Sequence, residues 1–316
     1  MLLDQLIWLV KSGEANQYYF CYGLDRKDAS LDQYLPYKHF RRMRNDRNRK
    51  NGTHFDYVCL LQDKFIFSQF LASLKFPAPR NVALWDSREL TWLDTMERVA
   101  LEQLSERGNE EWFCKPLTGI AGRGSFCLGI DGGRLVINGE EASIGALRQR
   151  LRGRYLFQER LVQHPRMAEL HAASINTLRL VTCRCHDRVD LISANIRMGT
   201  NGKVVDNWSS GGIVIAVDQA SGILAPEGFF KPGYGGRVRR HPTSGVIFEG
   251  FEVPQYRACV ELVKAIHSHF YGIHSIGWDV VITPSGPVVI EGNDDWGSPM
   301  TVEPAFKNVF LKVMQE

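Results

Sequence analysis

Near the C-terminus the sequence reads Gly277-Trp-Asp279-Val-Val-Ile-Thr283-Pro-Ser-Gly-Pro287-Val-Val-Ile-Glu291-Gly-Asn293. Two runs of β-branched residues separated by a short Pro/Gly segment predict a β-hairpin. If Thr283 pairs with Pro287 across the turn, Val281 lies opposite Val289. The stretch therefore predicts two antiparallel strands whose facing residues can be assigned pair by pair.

The same register places Asp279 opposite Glu291, and Asn293 shares their face because side chains alternate along a strand. The apolar side chains then point to the other face: Trp278, Val280, Ile282 and Ile290. Like charges that face each other across strands are destabilising. A hard divalent cation would remove that repulsion, and Mg²⁺ usually combines one or two carboxylates with substrate phosphates. We therefore expect Asp279, Glu291 and Asn293 to bind Mg²⁺ beside a nucleotide.

The bulk composition is that of an ordinary globular protein. The chain has 316 residues, a formal net charge of +3 and seven cysteines. This balanced charge argues against nucleic-acid binding, and scattered cysteines in a long chain fit a reducing compartment. The first residues lack the basic region of a signal peptide, and no apolar run approaches the length of a membrane span. We expect a cytoplasmic protein, and its oligomeric state stays open.

Periodicity along the chain predicts mixed helices and mainly antiparallel strands, which is the α+β class. Helices are expected over most of residues 1–55 and over 62–79, 90–107, 254–271 and 303–315. Strands are expected over 111–116, 125–130, 154–161, 175–185, 190–198 and 212–218. The Gly/Pro-rich residues 221–245 are expected to form a loop.

A glycine-rich segment joins two of the expected strands: Phe113-Cys-Lys115-Pro-Leu-Thr-Gly119-Ile-Ala-Gly122-Arg-Gly124-Ser125. Glycines let backbone N–H groups approach phosphate oxygens, and Lys115 would add a point charge. The alternative is a flexible hairpin tip. No Gly-Lys-Ser/Thr follows, so the segment is not a Walker A loop, and a strand rather than a helix comes after it.

Several motifs in order resemble the ATP-grasp superfamily over about residues 60–300. Lys64 at the head of a helix, Lys115 before the glycine-rich loop and the strand end Phe157-Gln-Glu-Arg-Leu161 precede the carboxylate hairpin. A closer resemblance is to sugar-transfer-associated ATP-grasp proteins. It is carried by Ser174-Ile-Asn-Thr-Leu-Arg179, Arg197-Met-Gly199, Asp206-Asn-Trp-Ser-Ser-Gly-Gly-Ile213, Tyr18-Tyr-Phe20, Gly23-Leu-Asp25 and Gly277-Trp-Asp279.

The resemblance implies an ATP-grasp fold, in which two α+β lobes clamp ATP. The lobes would be residues 56–160, with the glycine-rich lid, and 161–316, with the metal hairpin, after a mostly helical N-terminal extension at 1–55. The implied cofactors are ATP and Mg²⁺. The implied nucleotide-binding residues are Lys64 and Lys115 for the phosphates, Gly122, Gly124 and Ser125 in the lid, and Glu159, Arg160 and Leu161 around adenine. For ribose, Glu169 and His164 both stay candidates.

One position departs from the superfamily pattern. Many ATP-grasp ligases carry an arginine two residues before the first metal carboxylate, and here that residue is Gly277. Arg179 and Arg197 interrupt two apolar strands and are the natural substitutes, since an arginine fork suits a phosphoryl group or a carboxylate. The alternative is a pair of solvent-facing or salt-bridged arginines.

The segment before residue 213 offers groups for a substrate carboxylate. Asn207, Ser210, Gly211 and Gly212 supply an amide, a hydroxyl and backbone N–H groups that could form an oxyanion nest. The alternative is an ordinary turn.

A basic cluster nearer the N-terminus most simply forms a solvated helix face, and the alternative is contact with an anionic substrate. It comprises Lys38, Arg41, Arg42, Arg44, Arg47, Arg49 and Lys50.

Together these features predict an ATP-dependent carboxylate–amine ligase that forms an amide through an acyl phosphate. Arg179 and Arg197 would be catalytic. The partners would be small-molecule carboxylates and amines, on a sugar-linked, polysaccharide-related or natural-product substrate, with a link to a glycosyltransferase pathway. Two alternatives stay open: an ATP-grasp kinase acting on a sugar or polyol hydroxyl, and a non-catalytic nucleotide-binding partner of a glycosyltransferase.

Overall fold

The computed structural model describes residues 2–26, 30–49, 55–119, 122–201, 208, 211–303 and 305–315. They form two compact units, one within Met1–Cys59 and Gln163–Glu316 and the other within Leu60–Val162. We call these the first and the second unit. The three-part division at 1–55, 56–160 and 161–316 stays a prediction.

The helices in this part of the chain are α1 (Leu2–Ser12), α2 (Tyr37–Arg49), α3 (Cys59–Gln62), α4 (Lys64–Ser73), α5 (Ile144–Arg150), α6 (Pro165–Leu170), α7 (Tyr256–Ser268) and α8 (Phe306–Gln315). Short 3-10 helices cover Leu31–Gln33, Leu101–Arg107 and Pro299–Thr301. Among the helices just named, none has the length and apolar character that a bilayer crossing requires.

The strands are β1 (Asn81–Trp85), β2 (Leu90–Trp92), β3 (Arg98–Val99), β4 (Glu111–Pro116), β5 (Phe126–Asp131), β6 (Arg134–Ile137), β7 (Glu140–Ala142), β8 (Tyr155–Glu159), β9 (Thr177–Cys185), β10 (Arg188–Met198), β11 (Ile213–Val217), β12 (Leu224–Phe230), β13 (Arg237–Val238), β14 (Ser275–Thr283) and β15 (Gly286–Asn293). The second unit holds a sheet in the order β3-β2-β1-β8-β4-β5-β6-β7, and the first unit a sheet in the order β13-β12-β11-β10-β9-β14-β15. Neighbouring strands pair antiparallel. The predicted α+β class is confirmed.

The sheet of the first unit is covered on both faces. Helix α7 packs on one face, where Trp278 of β14 meets the rings of His267 and Phe270. On the other face, Val181 of β9 joins a core that includes Phe306 of α8. Because side chains alternate along a strand, this second face is the one that also carries Arg179.

The N-terminal residues are part of this core. Arg44 of α2 is completely buried and lies over the rings of Phe40 and Trp296. Its guanidinium donates to the carbonyl oxygen of Trp296 and to the carboxylate of Asp295. The prediction of a solvated basic face is therefore wrong at Arg44, because the guanidinium finds its partners inside the protein. Lys38, Arg41, Arg42 and Arg49 are exposed, Arg47 is half-buried, and Lys50 lies outside the described residues.

The helix predicted over 90–107 is wrong. The structure has β2, β3 and a 3-10 helix there. Leu90 and Trp92 are buried two residues apart, which is the period of a strand, and Trp92 packs against Trp112 of β4. Met96 in the connecting turn has a φ of 60°, a left-handed conformation that interrupts a helix. Packing against the sheet outweighed the apolar spacing that suggested a helix.

The loop predicted over 221–245 is also wrong in part. It contains β12 and β13, which extend the sheet beyond β11. At Gly228 a Cβ would lie 2.9 Å from Cγ2 of Ile213, so the glycine permits close strand packing. Gly228 therefore marks a close approach inside a sheet, whereas a Cβ at Gly233, Gly236 or Gly245 would meet no atom within 4 Å.

The hairpin forms with one change in register. Asp279 pairs with Glu291 and Gly277 with Asn293, and the facing of the two carboxylates is confirmed. Closer to the turn, Thr283 pairs with Gly286 and Val281 with Val288, so the predicted Val281–Val289 pairing is wrong. An irregularity after Asp279 places an extra residue in β15, as a β-bulge does, and this restores the predicted register at the carboxylates.

The packing of α2 leads to a stability prediction. Phe40 is fully buried and contacts Trp296 and Phe310 at centroid distances of 5.2 and 4.6 Å. We expect Phe40→Ala to lower the free energy of unfolding of the first unit by about 3–5 kcal/mol, because it leaves a cavity. Phe20→Ala is the control, since Phe20 is 61% exposed. Equal melting temperatures for the two variants would show that α2 is not part of the core.

Candidate functional site

A polar row crosses the second face of the first-unit sheet. Glu291 of β15 pairs with Asp279 of β14, Asp279 pairs with Arg179 of β9, and Arg179 pairs with Asn195 of β10. Arg197 lies two residues beyond Asn195 and pairs with Val214 of β11. Strand pairing therefore brings together both carboxylates and both arginines that the sequence singles out.

Arg179 and Asp279 form a buried ion pair. Nε and Nη2 of Arg179 donate to Oδ1 and Oδ2 of Asp279 at 2.7 and 2.8 Å, and the two side chains are 6% and 10% exposed. Nη1 of Arg197 lies 3.8 Å from Oδ1 of Asp279. The salt-bridged alternative thus holds for Arg179. The Arg179 guanidinium therefore compensates the charge of Asp279 opposite Glu291.

Asp279, Glu291 and Asn293 have the donor chemistry for Mg²⁺. They offer carboxylate and amide oxygens, the ligands that this cation prefers. Nδ2 of Asn293 donates to the carbonyl oxygen of Gly277 and to Oδ2 of Asp279, so its Oδ1 is the atom that could bind a cation. Within the described ranges, no three His, Cys, Asp or Glu side chains group to hold a metal. Asp279, Glu291 and Asn293 would fill only part of the coordination shell of Mg²⁺, which usually keeps several waters or substrate phosphates.

Gly277 is dictated by its surroundings. A Cβ there would lie 2.5 Å from Cβ of Trp296 and 2.8 Å from Nη1 of Arg179. Nη1 of Arg179, from the neighbouring strand, thus lies next to position 277. That Arg179 substitutes for the arginine of the superfamily pattern stays a prediction.

A cavity of about 230 Å³ opens at the arginine end of the row. Arg179, Asn195 and Arg197 line it from the sheet, and Lys231 follows β12. The segment after β15 contributes Gly297, Ser298, Pro299 and Val302. Asn195 was missed by the sequence analysis, although a polar residue two positions before Arg197 in an apolar strand is the signal that could have found it.

Aromatic side chains line the rest of the cavity. Tyr18, Tyr22 and Tyr37 come from the N-terminal residues and Trp208 from the segment before β11. Tyr18 and Trp208 are nearly parallel at a centroid distance of 6.1 Å. Tyr18 and Trp208 occur in the motifs that carry the family resemblance, but no role was assigned to either of them.

The predicted oxyanion nest is only partly described. Asn207 and Ser210 lie outside the described residues. Gly211 and Gly212 are buried, and the N–H of Gly211 donates to the carbonyl oxygen of Trp208 at 3.2 Å. The carbonyl oxygen of Gly211 accepts a hydrogen bond from Oγ1 of Thr200. Gly211 is thus part of a turn, in which its N–H already has a backbone partner.

In the second unit, Lys64 connects a helix to the glycine-rich loop. It begins α4, where the Asp63 carboxylate caps the helix by accepting from the N–H groups of Phe65 and Ile66. Nζ of Lys64 donates to the carbonyl oxygen of Gly119 at 2.8 Å. Lys64 and Lys115 are 8% and 6% exposed. Both lysines that are predicted to bind phosphate are therefore largely buried in the second unit.

The loop around Gly122 and Gly124 turns sharply. Their φ angles are 64° and 80°, and the N–H of Ser125 donates to the carbonyl oxygen of Gly122. A Cβ at Gly124 would lie 3.1 Å from Oη of Tyr155, whose hydroxyl donates to the Gly124 carbonyl oxygen. Both the backbone angle and the space require glycine at 124.

The predicted adenine hinge uses its side chains elsewhere. The carboxylate of Glu159 accepts from the N–H of Arg80 at 2.9 Å. The guanidinium of Arg160 pairs with Glu111 at 2.8 Å, and Leu161 is half-buried. The N–H of Glu159 also donates to the carbonyl oxygen of Arg80, and contact of this hinge with adenine stays a prediction.

The two candidates for ribose binding have local roles. His164 caps α6, where Nδ1 accepts from the N–H of Arg166. Glu169 forms an ion pair with the Arg166 guanidinium. Neither contact points to a nucleotide, and the ribose-binding residue stays unassigned.

A family profile described as "Sugar-transfer associated ATP-grasp" matches residues 44–314. The chain belongs to this ATP-grasp family. The match covers both units and includes every site residue named above except those N-terminal to residue 44. It confirms the resemblance inferred from the sequence. A comparison with curated proteins found no match.

Solved structures resemble this ATP-grasp protein more distantly. D-alanine–D-alanine ligase from Helicobacter pylori shares 13% identity, over 81% of this chain and 58% of that one, with a TM-score of 0.45. N5-carboxyaminoimidazole ribonucleotide synthetase from Thermotoga maritima shares 13%, over 75% and 42%, at 0.40. L-amino acid ligase from Bacillus licheniformis shares 12%, over 75% and 41%, at 0.40. The chain spans less than two thirds of each, and the assignment rests on the family profile.

The tight packing at Gly277 can be tested by a single methyl group. We expect Gly277→Ala to lower the free energy of unfolding by about 1–3 kcal/mol, because Trp296 or Arg179 must move. Thermal melting measures the effect. Gly236→Ala is the control, since a Cβ at Gly236 meets no atom within 4 Å. Equal stability of the two variants would contradict the close contact.

The half-buried Glu303, which contacts β10, makes stability depend on pH. Ser193 of β10 donates to Oε1 of Glu303 at 2.5 Å, and burial raises the pKa of Glu303 from 4.5 to about 8. Between these values the folded chain binds a proton that the unfolded chain has lost, so stability falls as pH rises. Glu303→Gln carries no charge to desolvate.

We therefore expect the melting temperature of Glu303→Gln, minus that of the wild type, to increase between about pH 5 and pH 9. Paired melts of the two proteins across this range measure the difference. A difference that does not change with pH would contradict the raised pKa of Glu303.

Proposed function

We propose that this chain is an ATP-dependent carboxylate–amine ligase that forms an amide through an acyl phosphate. One observation carries the proposal. The polar row joins a carboxylate pair suited to Mg²⁺ to a cationic cavity through a single residue, Arg179. A reaction that passes a phosphoryl group from a metal-bound nucleotide to a carboxylate needs these two sites side by side.

Asp279, Glu291 and Asn293 would hold Mg²⁺ together with phosphate oxygens of ATP. Mg²⁺ would polarise the γ-phosphoryl group. Arg179 balances part of the charge of Asp279, and Glu291 would supply the second carboxylate. Asp279 would connect the cation to the arginine that faces the acceptor.

Lys64 and Lys115 would neutralise the phosphates of ATP. Both are lysines with little exposure, and Lys64 is fixed by its bond to Gly119. Gly122, Gly124 and Ser125 would cover the phosphates with backbone N–H groups. Glu159, Arg160 and Leu161 would form the hinge that hydrogen-bonds adenine, partly through backbone groups.

Arg179 and Arg197 would stabilise the charge that develops during transfer. Arg179 uses Nε and Nη2 on Asp279, so Nη1 is the group that would reach the transferring phosphoryl. Arg197 lines the cavity and would orient the substrate carboxylate. The bidentate ion pair prevents reorientation of Arg179, which is the kind of preorganisation that lowers a barrier.

The chemistry requires no protein nucleophile. A carboxylate oxygen of the acceptor attacks the γ-phosphorus, and ADP leaves. The amine nitrogen then attacks the acyl carbon, inorganic phosphate leaves and the amine loses a proton. Positioning and electrostatic stabilisation supply the catalysis. The family description supports a substrate connected with sugar transfer.

The carboxylate pair can be tested at Glu291. We expect Glu291→Gln to reduce ATP turnover about a hundredfold, with partial recovery at higher Mg²⁺, because losing a ligand charge weakens metal affinity. Asp279→Asn is less informative, since it leaves the buried Arg179 without its counter-charge. Glu261→Gln, an exposed acid on α7, is the control. Unchanged turnover in Glu291→Gln would exclude Glu291 as a metal ligand.

The products distinguish the ligase from its alternatives. A ligase releases phosphate and an amide only when both carboxylate and amine are present, as phosphate assays and mass spectrometry can detect. A stable phosphorylated sugar or polyol would instead identify a kinase. Nucleotide binding without turnover over a broad acceptor panel would favour a non-catalytic module.

A further inference from the structure

The cavity beside Arg179 has the size of one ring with a small substituent. An apolar cavity of about 150 Å³ holds a benzene ring, whereas drug-sized ligands need roughly 300–1,000 Å³. At about 230 Å³ the cavity lies between these values. It is therefore large enough for a six-membered ring that carries a carboxylate.

One side of the cavity is cationic. Arg179, Arg197 and Lys231 line it, and none of the described residues that line it is acidic. The three lining cations outnumber the Asp279 carboxylate, which pairs with both Arg179 and Arg197. The planar fork of Arg197 matches the planar carboxylate group.

The other side is a wall of rings held in place by internal contacts. Nε1 of Trp208 donates to the carbonyl oxygen of Phe229 at 3.1 Å. Tyr22 stacks on Tyr34 at 4.1 Å and 10°, and the Tyr34 hydroxyl donates to the backbone of Tyr22. Tyr18 contacts Tyr22, Tyr37 and Trp208 at 5.8–6.1 Å. Such a wall is preorganised to contact the flat face of a ring.

The exposure and charge of these rings suit binding. Tyr18, Tyr37 and Trp208 are half-buried, in contrast to the fully packed Phe40 behind them. Burial raises the pKa of the Tyr18 hydroxyl to about 12, so it stays neutral and does not repel an anion at physiological pH. Packing alone does not require three half-exposed rings around a cationic cavity.

We propose that this cavity is the acceptor site and takes a carboxylate borne on a single six-membered ring. Arg197 and Lys231 bind the carboxylate, while Tyr18 and Trp208 contact the ring face. The N-terminal residues that supply Tyr18 and Tyr37 thereby determine which acid is accepted. The proposal rests on the ligase function proposed above, and it names the class of acid on which that ligase acts.

The test measures binding to the full chain without nucleotide, by ligand-observed NMR. The ring acids are benzoate and glucuronate, which separate an aromatic from a sugar ring. The controls are acetate, which lacks a ring, benzyl alcohol and glucose, which lack the charge, and phenyl phosphate. We expect at least one ring acid to bind about tenfold or more tightly than every control.

Variants assign the binding to the cavity. We expect Tyr18→Leu and Trp208→Leu to weaken the ring acid about tenfold, and Tyr18→Phe to retain it because the ring is kept. Arg197→Gln should weaken it similarly. Phe20→Leu, an exposed aromatic in the same N-terminal segment, is the matched control. Melting temperatures verify that each variant is folded. The comparison of ring acids with their controls uses the wild-type chain and does not depend on the folding of any variant.

The outcomes separate this inference from the ligase proposal. Equal binding of acetate, tighter binding of phenyl phosphate or no ring-acid binding overturns the ring-carboxylate site. Ring-acid binding that Tyr18→Leu and Trp208→Leu leave unchanged overturns it as well. Ring-acid binding that depends on these residues supports the site even when no amide forms with ATP and amines, and only the ligase proposal then fails.

Discussion

The buried ion pair between Arg179 and Asp279 is the interaction around which the first unit is arranged. Two charges removed from water carry a large desolvation penalty, and such a pair is strongly destabilised when one partner is lost. Its bidentate geometry fixes the guanidinium on the face of the sheet that carries Glu291 on one side and the cavity on the other. The ion pair therefore accounts for the position of the Arg179 guanidinium better than for the stability of the fold.

Two neighbouring features follow from this pair. Gly277 must lack a side chain because Arg179 and Trp296 fill the adjacent space. Trp296 in turn packs against Phe40, and its carbonyl oxygen accepts a hydrogen bond from the buried guanidinium of Arg44. A continuous chain of contacts thus leads from the ion pair to α2. The N-terminal residues belong to the support of the polar row as well as to the wall of the cavity.

Local patterns were reliable where local physics decides the outcome. The β-branched runs formed the hairpin, and the facing of Asp279 and Glu291 survived a bulge because side-chain alternation constrains both strands. The pattern misled over residues 90–107, where apolar spacing compatible with a helix belongs to strands that pack against Trp112. It also misled over 221–245, where glycine allows close strand packing. Short apolar runs do not distinguish these cases without their neighbours.

From its residues alone the chain could be recognised as an ATP-grasp protein. The lysines, the glycine-rich loop and the carboxylate hairpin are each local patterns, and their order can be read along the sequence. The acidic, basic and glycine residues that are candidates for the site could also be named from the sequence. Only the tertiary structure paired Arg179 with Asp279, buried Arg44 and gathered Tyr18 and Trp208 beside Arg197. These contacts join residues as far as 252 positions apart. They depend on how strands and helices pack, which no single stretch of sequence encodes.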